Sequence, residues 1–431
     1  MPERCRYACG STDHVTSRRS FLGGMAAAGV GAFGGFSSLI RPAVSAELAG
    51  RQKQVLLVWL AGGSSQLETW DPKPKTDTGG PFRDIETSVP GIRISELLPR
   101  TARQMHHLTL IRGVNTKEDD HGKGQYMMHT GRREMPGQQY PALGSLAAKS
   151  LPAEANPLPG YIHIQPGGGG VVAGEAAFLG PKYGALVLGN GQAPANTSRP
   201  GSLSDPGAQG RDTLRHHLND RFARRRRTAE TDAYMTSYEQ ARQLMERREV
   251  FDVTREPARD LERYGTHDFG RHCLLARRLL EAGTTFVKVS HSNYDTHNEN
   301  FDFHLEQVGE FDQSFSCLIA DMAARGLLQH TLVIVMSEFG RTPRINHLYG
   351  RDHWSAAWSV VVAGAGVKPG MVHGKTNANG TAVSDGEVGA GHLFHTYLRA
   401  VGLDPSEPFE IDGRSVQVAD PTASAIKEVL A

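Results

Sequence analysis

The sequence predicts an α/β fold with a doubly wound, mostly parallel central sheet flanked by helices. Two observations lead there. Short apolar runs rich in β-branched residues recur at 54–60, 108–111, 285–289 and 332–336, each the pattern of a strand buried on both faces. Helical patterns alternate with these runs, as parallel sheets require. A third observation concerns function: polar loops rich in Asp, Glu, His and Gly follow the runs, and open parallel sheets bind ligands just beyond the carboxyl ends of their strands.

Residues 1–46 form an expected address label. Ser17-Arg18-Arg19-Ser20-Phe21-Leu22 has the twin-arginine pattern, a weakly apolar Gly/Ala run follows to Ile40, and Val44-Ser45-Ala46 offers small residues for cleavage before Glu47. The expectation is export by the Tat translocase to the periplasm or beyond. A membrane anchor is the alternative, opposed by the glycines and by Arg41-Pro42. No stable membrane span is expected in the mature protein. Cys5 and Cys9 lie in the leader. Cys273 and Cys317 remain afterwards, either paired or as two buried thiols.

Residues 47–431 are expected to form a single domain with a loop-rich, charged helical insertion at about 189–260. The first strand, 54–60, ends in Gly62-Gly63-Ser64-Ser65, which lacks both the Lys-Ser/Thr of a phosphate loop and a G-x-S-x-G elbow. The run 108–111 leads to a loop and then a helix over 124–129, closed by Thr130-Gly131-Arg132. Loops and short strands are expected over 161–188, an exposed linker over 189–210, and charged helix over 211–249. The Arg224–Arg227 run reads as a solvated face.

An amphipathic helix over 269–282 carries Leu274, Leu275, Leu279 and Leu280 and stops at Gly283. The strand 285–289 follows, then a loop, a helix over 301–325 stopped by Gly326, the strand 332–336, and a last strand 359–363 ending at Gly364. His392 and His395 have helical spacing and read as surface or packing residues.

Net charge is +1, from 47 basic and 46 acidic residues, so no overall field points to nucleic acid or a membrane surface. Nineteen histidines, many beside acids or glycines, favour metal chemistry. Strand ends carry the candidates: Asp295 and His297 after 285–289, Glu338 and Arg341 after 332–336, then Asp352-His353. Imidazole and carboxylate suit Zn²⁺ or a similar cation, and D-x-H lets two ligands reach one ion from a short loop. Each has a plainer alternative. Asp295 caps a turn, Glu338 and Arg341 form a structural ion pair, or Asp352 orients a histidine from behind.

Four stretches resemble the alkaline phosphatase/sulfatase superfamily, and within it the Tat-exported branch of unassigned function. They are Gly62 to Pro72, Met128-His129-Thr130-Gly131, Ser337 to Arg341, and Gly350-Arg351-Asp352-His353. The resemblance implies one divalent ion, Zn or else Mn or Ca, on Asp295, His297 and His353. A second metal loses most of its ligands here, because the first strand ends in Ala61-Gly62 and the usual Asp-His pair is Glu338-Phe339. Glu68 or Asp71 would have to reach in to replace them. In sulfatases a Cys or Ser stands nine residues before the Thr of T-G-R; here that place holds His121. The implied activity is exported hydrolysis of sulfate or phosphate esters. Asp295, His297, Glu338, Asp352 and His353 are the metal candidates, His121, Glu338 and Arg341 the catalytic ones, and Arg132 and Arg341 would bind the anion. The alternative is a non-catalytic exported protein that recognises anionic glycans or a surface complex. A redox reading lacks any G-x-G-x-x-G fingerprint.

Overall fold

The structure is a computed structural model that describes residues 53–151, 158–172, 174–193, 201–224, 229–411 and 414–431. The leader 1–46, part of the expected linker (194–200) and Arg225–Arg227 lie outside the described residues.

Nine strands form the main sheet: β1 (Gln54–Leu60), β2 (Leu108–Val114), β3 (Tyr161–Gln165), β4 (Gly170–Val172), β5 (Ala185–Gly189), β6 (Phe286–His291), β7 (Thr331–Met336), β8 (Trp358–Gly364) and β9 (Met371–His373). Their spatial order is β9-β2-β8-β7-β1-β6-β3-β5-β4. β1 is parallel to both β6 and β7, with Leu60 beside His291 and Trp59 beside Met336. Three strands therefore end together at one edge. The mostly parallel expectation holds, with two exceptions. β4 runs antiparallel at an edge, and β8 runs antiparallel to both its neighbours. No helix lies between β7 and β8, so the chain turns back instead of crossing over.

Side-chain alternation on β1 splits the core in two. Leu56, Val58 and Leu60 face one cluster, while Val55, Leu57 and Trp59 face the other. On the first face pack Phe269, Leu274 and Leu279 of one helix (Asp268–Glu281) and Phe311, Phe315 and Leu318 of another (Asn300–Ala324). Each such buried side chain contributes roughly 1.5–3 kcal/mol. On the second face lie α1 (His121–Thr130), a helix at Leu143–Ser150 and one at Ala390–Ala400.

The predicted helix stops are present, with Gly283 at φ +96° and Gly326 at φ +74°. α1 starts earlier than its apolar pattern suggested. The Asp120 carboxylate accepts from Lys123 N at 3.0 Å, which makes His121 the first helical residue. The linker expectation also needs correction: Ser204 caps a helix beginning at Asp205. Cys273 and Cys317 are free thiols. His395 is buried against the Asp420 carbonyl at 2.7 Å, a packing role as read.

The core also holds neutral imidazoles. His129, His163, His272, His291 and His304 are all at 8% exposure or less. Burial holds each below the ordinary value, His163 at about 2 and His272 at about 4, with the Lys288 charge adding to the effect at His129 and His163. Unfolding lets these rings take up protons below about pH 6.5. The stability they contribute is therefore full above that pH and is lost as pH falls. Denaturant titrations at pH 7.5, 6.0 and 5.0 should show stability falling by up to about 1.4 kcal/mol per pH unit for each ring that stays neutral. A flat profile would contradict the assignment.

Candidate metal centre

The site begins where β1 ends. Gly62 and Gly63 adopt φ +114° and +85°, and a Cβ on Gly62 would stand 2.5 Å from Asp295 N. Only a bare backbone lets this turn press against the loop after β6. Ser337, just past β7, accepts from Gly63 N and Ser64 N at 3.0 and 3.1 Å, so the first loop is stitched to β7. The Glu338 carboxylate lies beside it and accepts from Gly62 N at 2.9 Å.

Four side chains meet beyond these strand ends. His297 Nε2 and His353 Nε2 are 3.0 Å apart, and Asp295 Oδ1 lies 3.1 Å from the first and 3.2 Å from the second. His121 Nε2 approaches the other oxygen, Asp295 Oδ2, at 3.4 Å. The far nitrogen of each ring has its own anchor. His297 Nδ1 donates to Asp352 Oδ1 at 2.7 Å, His121 Nδ1 to Glu338 Oε1 at 2.8 Å, and His353 Nδ1 to the Asp119 carbonyl at 2.7 Å. Fixing Nδ1–H in this way leaves all three Nε2 lone pairs facing Asp295. Metal-binding histidines are oriented by outer carboxylates and carbonyls in the same manner.

The donor set fits an ion. A four-coordinate cation with bonds of about 2.0–2.1 Å holds its ligands roughly 3.3 Å apart, and the Asp295, His297, His353 triangle has edges of 3.0–3.2 Å. His121, Asp295 and His353 also have ligand atoms within 4.8 Å of one another. Two nominated ligands take other places. Glu338 and Asp352 point at ring Nδ1 atoms, one step outside the cluster, and Asp352 thus has the orienting role that was its alternative. The His297 hydrogen bond holds Asp352 below the usual carboxylate range. Burial pushes Asp295 up, but the hydrogen bond and charge of Arg341 more than offset it and leave it at about 2.

The arginines require correction. Arg341 is fully buried: Nε donates to Gly63 O at 2.7 Å, Nη1 to Arg351 O at 3.1 Å, and Nη2 to Gly62 O and, at 2.6 Å, to Asp295 Oδ1. Its fork is engaged by protein and is not presented to a substrate. Arg132 lies apart, donating to the Gln417 and Ala419 carbonyls and stacking 4.3 Å over Tyr140. Neither Glu68 nor Asp71 reaches the cluster. Glu68 pairs with Arg351, both at 0% side-chain exposure, while Asp71 binds Lys73 and Thr376. Sequence reasoning missed Arg351 although it adjoins Asp352-His353. It also missed Asp119, which acts through a carbonyl that no residue pattern reveals.

Comparison with known proteins gives a family match and several structural likenesses. A family described as "Protein of unknown function (DUF1501)" matches residues 52–430. No curated protein matches the sequence. Among solved structures, the chain is similar to the PsFucS1 sulfatase from Pseudoalteromonas sp. at 12% identity and a TM-score of 0.41, over 90% of this chain and 74% of that one. It is similar to the alkaline phosphatase from the Antarctic bacterium TAB5 at 13% identity and a TM-score of 0.35, over 81% and 98% of the two chains. A third likeness is to the lipoteichoic acid synthase LtaP from Listeria monocytogenes, at 10% identity and a TM-score of 0.36, over 85% and 74%.

Arg351→Met leaves the Glu68 carboxylate buried without its partner and should cost about 3–5 kcal/mol in denaturant unfolding. Adding Glu68→Gln should recover part of that loss. A cost under about 1 kcal/mol for the single variant would show that the pair does not carry this load.

Proposed function

The chain belongs to the DUF1501 family, and with that as premise we propose that it is an exported metal-dependent hydrolase of sulfate or phosphate esters. The observation that carries the reading is the convergence of three tautomer-fixed imidazoles on the Asp295 carboxylate. Asp295, His297 and His353 would hold one divalent ion. Zn suits two imidazoles and a carboxylate best, ahead of Mn and of Ca, which prefers oxygen ligands. Such an ion supplies Lewis acidity toward an ester oxygen.

The protein's own residues do the rest. His121 stands at the start of α1, where its side chain is 41% exposed and open to a substrate. Glu338 holds its Nδ1–H, so Nε2 can take a proton from an attacking water as the new S–O or P–O bond forms and the S–O or P–O bond to the alcohol oxygen breaks, and can then return that proton to the departing alkoxide. No hydroxyl or thiol occupies that position, so a water attack is favoured over a covalent intermediate. Export rests on the twin-arginine leader, and among the described residues no helix is long and apolar enough to cross a membrane.

One observation favours a second reading, a non-catalytic binding or scaffold protein. The buried Arg341 guanidinium already neutralises Asp295 at 2.6 Å, so the cluster has a resident cation.

Metal analysis of mature wild type, His297→Ala and His121→Ala separates the two. The hydrolase reading expects about one equivalent in wild type, a loss of roughly tenfold or more in His297→Ala, and retention in His121→Ala. Ester turnover by His121→Ala should then fall by about 10²–10⁴. A protein that takes up no Zn, Mn or Ca on reconstitution would leave the scaffold reading standing.

A further inference from the structure

Lys123 and Met127 of α1, the helix that His121 opens, help to line a cleft of about 1310 Å³. Glu118 and Lys123, which line the cleft, flank in sequence the segment that carries His121 and Asp119, whose carbonyl holds His353. The volume exceeds the roughly 300–1,000 Å³ of ordinary small-molecule pockets, and so suits a chain of linked units more than a single small ester.

The lining specifies the chemistry of that chain. Arg133 is 3.7 Å from Glu118 and also donates to the Thr116 and Lys117 carbonyls at 3.1 Å, so these two charges are engaged locally. Of the charged residues lining the cleft, Lys123 and Glu134 remain, and their signs cancel. A polyanion would need a row of unpaired cations. The lining instead holds the exposed Gln139, Gln138, whose Oε1 accepts from Tyr140 Oη at 3.0 Å, and the Phe178 ring, which stands edge-on to Tyr140 at 6.5 Å. Amides and an aromatic ring lining one cleft match a pyranose, which presents hydroxyls at its rim and C–H groups on its faces.

We propose that this cleft binds a neutral oligosaccharide. Resting on the hydrolase reading, that oligosaccharide would carry the single sulfate or phosphate ester that is hydrolysed at His121. Binding in the cleft itself requires no ion.

The test uses full-length mature protein stripped of metal with chelator. Cellohexaose, maltohexaose, xylohexaose and chitohexaose are titrated by calorimetry and saturation-transfer NMR, with dextran sulfate alongside. At least one neutral hexasaccharide should bind saturably, and Phe178→Ala should weaken it by about tenfold. Phe178 also packs on Phe409, so the Gln138→Ala/Gln139→Ala variant on the exposed rim gives a second readout if Phe178→Ala does not fold. The proposal is overturned if none of the four binds to folded protein, or if binding is unchanged in the glutamine variant. Tighter binding of dextran sulfate that depends on Lys123 would overturn it in favour of a polyanion. Sugar binding without ester turnover would refute the hydrolase reading alone, and turnover without sugar binding would refute this inference alone.

Discussion

The geometry of the cluster depends on the buried ion pair between Glu68 and Arg351. Arg351 donates two bonds to Glu68 Oε1, at 3.1 and 2.8 Å, and further bonds to the carbonyls of Thr78, Thr342 and Pro343. Its own backbone N–H donates to Thr296 O, between Asp295 and His297. One side chain and its peptide thus join the loops that follow β1, β6 and β7. Burying two charges is costly in itself. Burial pushes Glu68 up, and the Arg351 charge more than offsets it. What the pair provides is position: with it in place, Asp352 and His353 have one location relative to Asp295.

A second level of order rests on that frame. Three acids, Asp295, Glu338 and Asp352, lie within a few ångströms of three imidazoles and one guanidinium. Each carboxylate has a distinct duty, set by what else it touches. Glu338 is fixed by Gly62 N and steers His121, and Asp352 steers His297. Asp295 is the one acid that faces the imidazole Nε2 atoms. Arg341 keeps it ionised from behind, which explains why so buried a cation faces protein instead of solvent.

The fold was largely legible in the sequence because the signals behind it are local. Runs such as Val55–Leu60 and Leu332–Met336 are apolar at every position, and glycines at 283 and 326 end their helices where an L side chain would be strained. The cluster was partly legible for a related reason, since Asp295 and His297 sit just past the end of β6, while His353 lies well beyond β7 in a short strand of its own. The division of labour was not legible. Whether Glu338 touches an ion or a ring nitrogen depends on a contact with His121, 217 positions away, and Glu68 meets Arg351 across 283. The fate of Arg132 depended on the C-terminal segment folding back to present Gln417 and Ala419 carbonyls. Composition and spacing carry no record of such meetings. The direction of β8 was readable in principle, because no helical pattern lies between 337 and 357.

That reversed strand has a further corollary. The segment from Ser337 to Ala357 leaves the sheet at the end of β7 and re-enters beside it through β8, at the same edge. It behaves as a cassette, with both splice points on one side of the scaffold. A change of length in its interior would re-thread no strand and move no helix, provided Arg351 keeps its bonds to Glu68 and Thr296. Glu338, Arg341, Asp352 and His353 all lie inside it. Half of the site is thus carried on one contiguous piece of chain, and Asp295, His297 and His121 meet it from the fixed part of the scaffold.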